Sequence, residues 1–171
     1  MINSSPLKLN FVLLLAILIS GCSMFDSNDD NNDGPGELNL MLDEIPDTLK
    51  LGSKSLILRT EMWRDFQPIS PANGKPLIAI FLIVTTDSTD LPEGIQADAA
   101  WIICDDEIWA TYFSDEEPPE YEVKPYQLYK IARDGPKFGP NIYVTAVMRI
   151  IDRMDKSHFL KAEDQFIFRT D

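Results

Sequence analysis

Hydrophobic and polar positions divide the chain into three regimes. Residues 9–19 read LNFVLLLAILI, apolar except for Asn10, and residues 26–37 read DSNDDNNDGPGE with no hydrophobic side chain. From about residue 48 onward, short apolar runs alternate with turn-forming residues. The run LIAIFLIV at 77–84 is flanked by Gly74-Lys75-Pro76 and Thr85-Thr86-Asp87. It is short for a buried helix, and branched side chains between turn residues predict a central strand. Residues 141–152 alternate: Ile142, Val144, Ala146, Met148 and Ile150 point one way, Tyr143, Thr145 and Arg149 the other. That period of two predicts a half-buried strand. Further strands are expected at 56–62, 99–104, 107–113, 121–131 and 158–168, with hairpin connections at Asp105-Asp106 and at 154–157. About seven strands with Pro and Gly in their connections predict an all-β domain, an antiparallel immunoglobulin-like β-sandwich. There is no strand-helix alternation and no internal repeat, and the only helical signal is a short turn within 40–49.

Length and charge then set the class. The 171 residues allow one domain of ordinary size, and a 44% hydrophobic fraction supplies a real core. Against 28 Asp and Glu stand 15 Lys and Arg, a net charge of −13. Nucleic acid is excluded as a partner, because phosphate binding draws its affinity from clustered cations. Eight acids and no base lie within 26–47, leaving 20 acids and 14 bases in 48–171. Much of the acidity therefore belongs to the segment ahead of the strands.

The apolar run at 9–19 follows a leader whose one positive side chain is Lys8, the shape of a signal peptide. It is about half the roughly 20 residues that a membrane-spanning helix needs. It ends in Ile19-Ser20-Gly21-Cys22, which resembles the lipobox of bacterial lipoproteins. The resemblance implies cleavage before Cys22, acylation of that cysteine, and membrane attachment by its acyl chains, each buried methylene contributing about 0.8 kcal/mol. Ser23 in place of Asp implies the outer membrane in a Gram-negative cell, and Asp29-Asp30 loosely resembles surface-export signals. The expected organisation is a signal peptide at 1–21, a lipidated Cys22 with an acidic flexible tether at 22–47, and a folded domain at 48–171. Residues 29–34, DDNNDG, begin like an EF-hand loop, but its twelfth position is Leu40 where a bidentate Glu is required, and Pro35 follows the Gly.

His158 is the only histidine, which excludes a histidine-rich zinc or copper site. Cys104 sits in the apolar string Trp101-Ile102-Ile103-Cys104, where a thiol packs as a small hydrophobe rather than serving as a nucleophile for His158. With Cys22 lipid-modified, Cys104 has no disulfide partner. Trp63, Trp101 and Trp109, with Tyr112 or Tyr121 beside them, suggest either core filling or an aromatic platform for sugars, and Trp109 is the one expected to be partly exposed.

Charge segregation is the sharpest remaining signal. Between Lys75 and Lys124 there are twelve acids and no base, whereas 124–169 holds nine bases and five acids. The acidic loops around Asp105, Asp106, Glu107, Asp115, Glu116 and Glu117 are the candidate site, for calcium through hard oxygen ligands or for a basic partner. The plainer reading is a solvated surface that keeps the domain soluble. No spacing selects a carboxylate pair for glycoside hydrolysis.

Three strings, WRDFQPISP at 63–71, GPKFGP at 135–140 and KAEDQF at 161–166, stand in an order that resembles an uncharacterised group of small secreted bacterial proteins with immunoglobulin-like domains. The resemblance covers about 51–171 and implies a fold without an activity. The expectation is thus a lipid-anchored cell-envelope protein acting as a non-catalytic binding or assembly module, with the membrane and another envelope protein as partners. A carboxylate-dependent hydrolase and a structural spacer are the competing classes.

Overall fold

The computed structural model describes residues 42–114, 116 and 124–171. Eight strands follow a single 3-10 turn at Leu42–Glu44: β1 (Thr48–Leu51), β2 (Lys54–Asp65), β3 (Leu77–Thr85), β4 (Gln96–Cys104), β5 (Glu107–Tyr112), β6 (Gln127–Gly135), β7 (Ile142–Ile151) and β8 (Ser157–Thr170). Each of the seven expected strands has a counterpart, and both expected hairpin connections are present, Cys104 pairing with Glu107 and Ile151 with Ser157. Strand β1 was not expected. It pairs with the start of β2 through the two-residue turn Gly52-Ser53, where Gly52 takes a φ of 61° that L side chains rarely adopt.

The strands form one sheet in the order β5-β4-β7-β8-β2-β3-β6, with β1 beside β2, curled into a half-barrel. It is mixed, which corrects the expectation of a purely antiparallel arrangement. Strands β2 and β8 run parallel from Met62 opposite Ile167 to Asp65 opposite Thr170. Periodicity within a strand cannot reveal this, because neighbour direction is set by how the first long strand, β2, and the last, β8, meet in space. The curl brings the two ends of the sheet together. Just past β5, the Ser114 amide donates to the Ile131 carbonyl of β6 at 2.9 Å. Trp109 of β5 lies flat against Gly135 of β6, where an added Cβ would stand 2.7 Å from the indole ring.

The main core fills the concave side. Leu56 and Met62 of β2, Leu77, Phe81 and Ile83 of β3, Ile102 of β4, Met148 and Ile150 of β7, and Leu160 and Ile167 of β8 are all fully buried in it. Each such side chain contributes about 1.5–3 kcal/mol of burial free energy. The apolar run of β3 thereby resolves into alternation: Leu77, Ala79, Phe81 and Ile83 face inward, and Ile78, Ile80 and Leu82 are half-buried on the other face. Strand β4 is apolar on both faces for a different reason. Ala99, Trp101 and Ile103 join Val147 of β7 in a second cluster on the convex side.

That second cluster is capped by the chain ahead of β1. Ile45, only 4% exposed, packs into it, with Leu42 alongside. The Pro46 carbonyl accepts a hydrogen bond from the Lys161 amide of β8 at 2.9 Å. The described fold therefore begins ahead of Thr48.

Two of the three punctuated strings meet around Arg64, which is 3% exposed. Its guanidinium donates to the carbonyls of Lys75 (3.0 Å), Lys137 (3.1 Å), Gly139 (2.7 Å) and Asn73, joining the connection at 66–76 to that at 136–141. Burial lowers the pKa of this group from its usual value. Lys75 and Asp65 pair at 2.6 Å beside it, and Phe66 lies between Arg64 and Arg169, 5.0 and 4.0 Å from its ring centre. The third string is a bulge in β8: Val144 faces Gln165 but Ala146 faces Ala162, so β8 carries an extra residue, and Asp164 takes a positive φ of 54° there.

Candidate functional site

The acidic residues singled out from the sequence do not gather at one place. Asp105 and Asp106 form the β4–β5 turn and Glu107 opens β5, all exposed. Glu116 follows the far end of that strand, which spans about 17 Å at the usual rise per residue. It is paired with Arg133 of β6, Oε2 lying 2.6 Å from Nη2, and the guanidinium holds its carboxyl below the usual carboxylate range. Asp115, Glu117 and Cys22 lie outside the described residues. Among the described residues no group of three or more His, Cys, Asp and Glu side chains is placed to hold a metal ion.

The other candidates are placed just as plainly. Trp101 is 2% exposed in the second cluster, Trp109 is half-buried against Gly135, and Trp63 is half-buried on β2 opposite Phe168. Tyr112 is exposed, and Tyr121 lies outside the described residues. The aromatics that do meet are the exposed Tyr143 and Phe168 with half-buried Phe166 between them, ring centres 5.0 and 4.9 Å apart and planes inclined at 55° and 80°. Cys104 packs partly buried against the main core. Burial, with the nearby charges of Asp105 and Glu107, pushes its pKa up and keeps the thiol protonated at neutral pH. It does not meet His158: Ile103 pairs with Thr145 and His158 with Ile150, leaving about 17 Å of β7 between them.

His158 belongs instead to a groove at the opposite end of the sheet, with a volume of about 460 Å³. Three connections build it. The β1–β2 hairpin contributes Lys50, Leu51 and Gly52; the β3–β4 loop contributes Pro92, Glu93 and Ile95; the β7–β8 turn contributes Asp152, Arg153, Met154 and Lys156, followed by His158. Gly94, at a φ of 73°, lets the loop lie against the turn, since an added Cβ would stand 3.1 Å from Cβ of Arg153.

Asp152 organises that turn. Its Oδ1 accepts the amides of Met154 (2.8 Å) and Lys156 (3.1 Å), and its Oδ2 lies 2.9 Å from Nε2 of His158. The bond to His158, then the Met154 amide, hold its carboxyl below the ordinary range. Asp152 is thus engaged while keeping its negative charge, and Glu93 is the second acid of the groove lining.

The cations are not matched. Elsewhere among the described residues, Lys75, Arg133, Arg149, Lys161 and Arg169 each pair with a carboxylate and Arg64 is bound by four carbonyls, while Lys54, Arg59, Lys130 and Lys137 have no carboxylate of the described residues within 4.0 Å. Lys50, Arg153 and Lys156 have no carboxylate of the described residues within 4.0 Å. Below them Leu51 and Ile95 pack onto the main core and give the groove an apolar floor. The lining contains no Ser, Thr or Cys. It offers positive charge and apolar area without a side-chain nucleophile of those types.

The basic excess of 124–169 was the one sequence signal that bore on this site. Lys50 lies about a hundred positions from Arg153 and Lys156, so nothing in the chain order joins these cations. Compared with known proteins, the chain matches no family model, no curated protein and no solved structure.

Proposed function

We propose that this protein is a lipid-anchored binding module of the cell envelope, held to the membrane through acylated Cys22, whose domain captures an anionic ligand in the groove beside His158. The lipobox-like Ile19-Ser20-Gly21-Cys22 behind an apolar leader supports the anchor. We read the half-barrel as an immunoglobulin-like sandwich in which β6-β3-β2 and β5-β4-β7-β8 are the two layers. The strand order and the parallel contact of the first long strand with the last support this reading. Loops at the ends of such sandwiches are the usual carriers of binding sites, because rigid strands fix their bases.

The observation that carries the binding function is the set of three unpaired cations, Lys50, Arg153 and Lys156, over the Leu51 and Ile95 floor. Three cations against the two carboxylates Glu93 and Asp152 leave the groove with an excess of positive charge, which an anion relieves. The test is to extract the anchored protein from bacterial envelopes and weigh it intact by native mass spectrometry. Wild type is expected to carry a non-covalent anionic adduct that a Lys50→Glu, Arg153→Glu, Lys156→Glu variant lacks. Equal adducts on both would end the assignment of the groove. Labelling with an alkyne fatty acid is expected to mark wild type and not Cys22→Ala; a marked Cys22→Ala protein would end the anchor.

A further inference from the structure

Resting on the groove as the binding site, we propose that its ligand is an anionic amphiphile: a small molecule with one carboxylate or phosphate head and an apolar tail of modest length. Two chemistries line the same space. Lys50, Arg153 and Lys156 supply three positive charges against two carboxylates, Glu93 and Asp152, the latter already bonded to His158 and two backbone amides. Leu51 and Ile95 supply an apolar floor continuous with the main core. A purely polar anion would satisfy the cations and leave that floor wet. A neutral lipid would cover the floor and leave the cations unmatched. Only a molecule carrying both parts uses the whole groove.

Size and shape agree. A volume of about 460 Å³ falls in the range of small-molecule pockets, roughly 300–1,000 Å³. Met154, at the tip of the β7–β8 turn between Arg153 and Asp155, is 72% exposed. Its unbranched thioether can fold down over an alkyl tail without a fixed partner shape. The guanidinium of Arg153 suits either head group, since both present two oxygens to its planar fork.

The measurement uses the full-length chain in nanodiscs of zwitterionic lipid, with methyl-13C methionine and the Met154 signal assigned by its loss in Met154→Leu. Octanoate, octyl phosphate, octanol and inorganic phosphate are titrated separately. The expected result is a saturable shift of the Met154 methyl with octanoate or octyl phosphate at a midpoint at least about tenfold below those of octanol and inorganic phosphate. The lower of the two amphiphile midpoints identifies the head group. Lys50→Glu, Arg153→Glu is expected to raise that midpoint at least about tenfold while the other methionine methyls keep their dispersion; the milder Lys50→Gln, Arg153→Gln gives a smaller rise and serves if the reversal fails to fold.

Inorganic phosphate saturating as readily as octyl phosphate would overturn the amphiphile and leave an anion-binding module standing. Octanol binding as well as octanoate would overturn the role of the cations, and with it the proposed function. Tighter binding of a synthetic Asp- and Glu-rich peptide than of either amphiphile would overturn the small-molecule ligand in favour of an acidic protein segment. No shift with any of the five would overturn both readings.

Discussion

Replacing Arg64 by Met keeps most of the volume of the side chain and removes all of its donors. Four carbonyls, those of Asn73, Lys75, Lys137 and Gly139, lose their guanidinium partner at once. A hydrogen bond contributes about 1 kcal/mol net, and more with a charged donor, so the gross loss is about 4 kcal/mol or above. Two terms offset it. The guanidinium has no carboxylate partner among the described residues, so its removal recovers a desolvation cost, and carbonyls in end loops regain water. The expected net loss is about 2–4 kcal/mol, a large share of the roughly 5–15 kcal/mol by which a domain is stable. In urea, followed by tryptophan fluorescence, this is a fall of about 1–2 M in midpoint at unchanged slope. Arg64→Lys keeps the charge but cannot reach four carbonyls from one ammonium, and should fall between wild type and Arg64→Met. Amide exchange should quicken at Ser70 and Gly74, whose own loop bonds to Gln67 and Pro71 depend on the anchored connection. A loss below about 1 kcal/mol for Arg64→Met would refute the view that this one side chain ties the two connections together.

Four other outcomes are expected. Ile45→Ala should cost about 2–4 kcal/mol and red-shift the emission of Trp101, because it uncovers the second cluster; an unchanged urea midpoint would show that the cluster does not need its cap. Gly135→Ala should cost about 1–3 kcal/mol by pushing Trp109 off β6, and a melting temperature equal to that of wild type would mean that the sheet ends close without this contact. The Asp152 carboxyl is held below its ordinary range in the folded protein, so its contribution is present above the unfolded carboxylate value near pH 4 and is lost as pH falls through the lower folded value. Asp152→Asn should therefore flatten the acid limb of stability against pH, and an identical acid limb in both proteins would contradict the assignment. Cys104 should react slowly with a thiol reagent at neutral pH and rapidly once the protein is unfolded, whereas rapid reaction of the native protein would mean an accessible thiolate.

Local pattern settled the strands, because the period of side-chain direction is a property of the backbone itself. Ile142, Val144, Ala146, Met148 and Ile150 all face the core as their alternation requires, and Asp105-Asp106 turns the chain where two polar residues interrupt two apolar runs. Short-range chemistry also made Cys104 a packed thiol rather than a nucleophile. What the pattern could not carry was any relation between residues far apart in the chain. The parallel pairing of β2 with β8 joins the first long strand to the last and turns an expected antiparallel sheet into a mixed one. Ile45 reads as the end of a polar tether until Trp101 and Val147, more than fifty positions away, present a convex apolar face for it to cover. Shared acidity in the sequence suggested one site for Asp105, Asp106, Glu107 and Glu116, but β5 holds the first three at one end and Glu116 beyond the other, where Arg133 takes it up. The groove shows the converse. Lys50, Arg153 and Lys156 share no motif, and only the packing of three connections at one end of the curled sheet sets their charges together over Leu51 and Ile95. Charge and apolar area add in space, not along the chain, so the fold and not the sequence decided where this protein presents a binding surface.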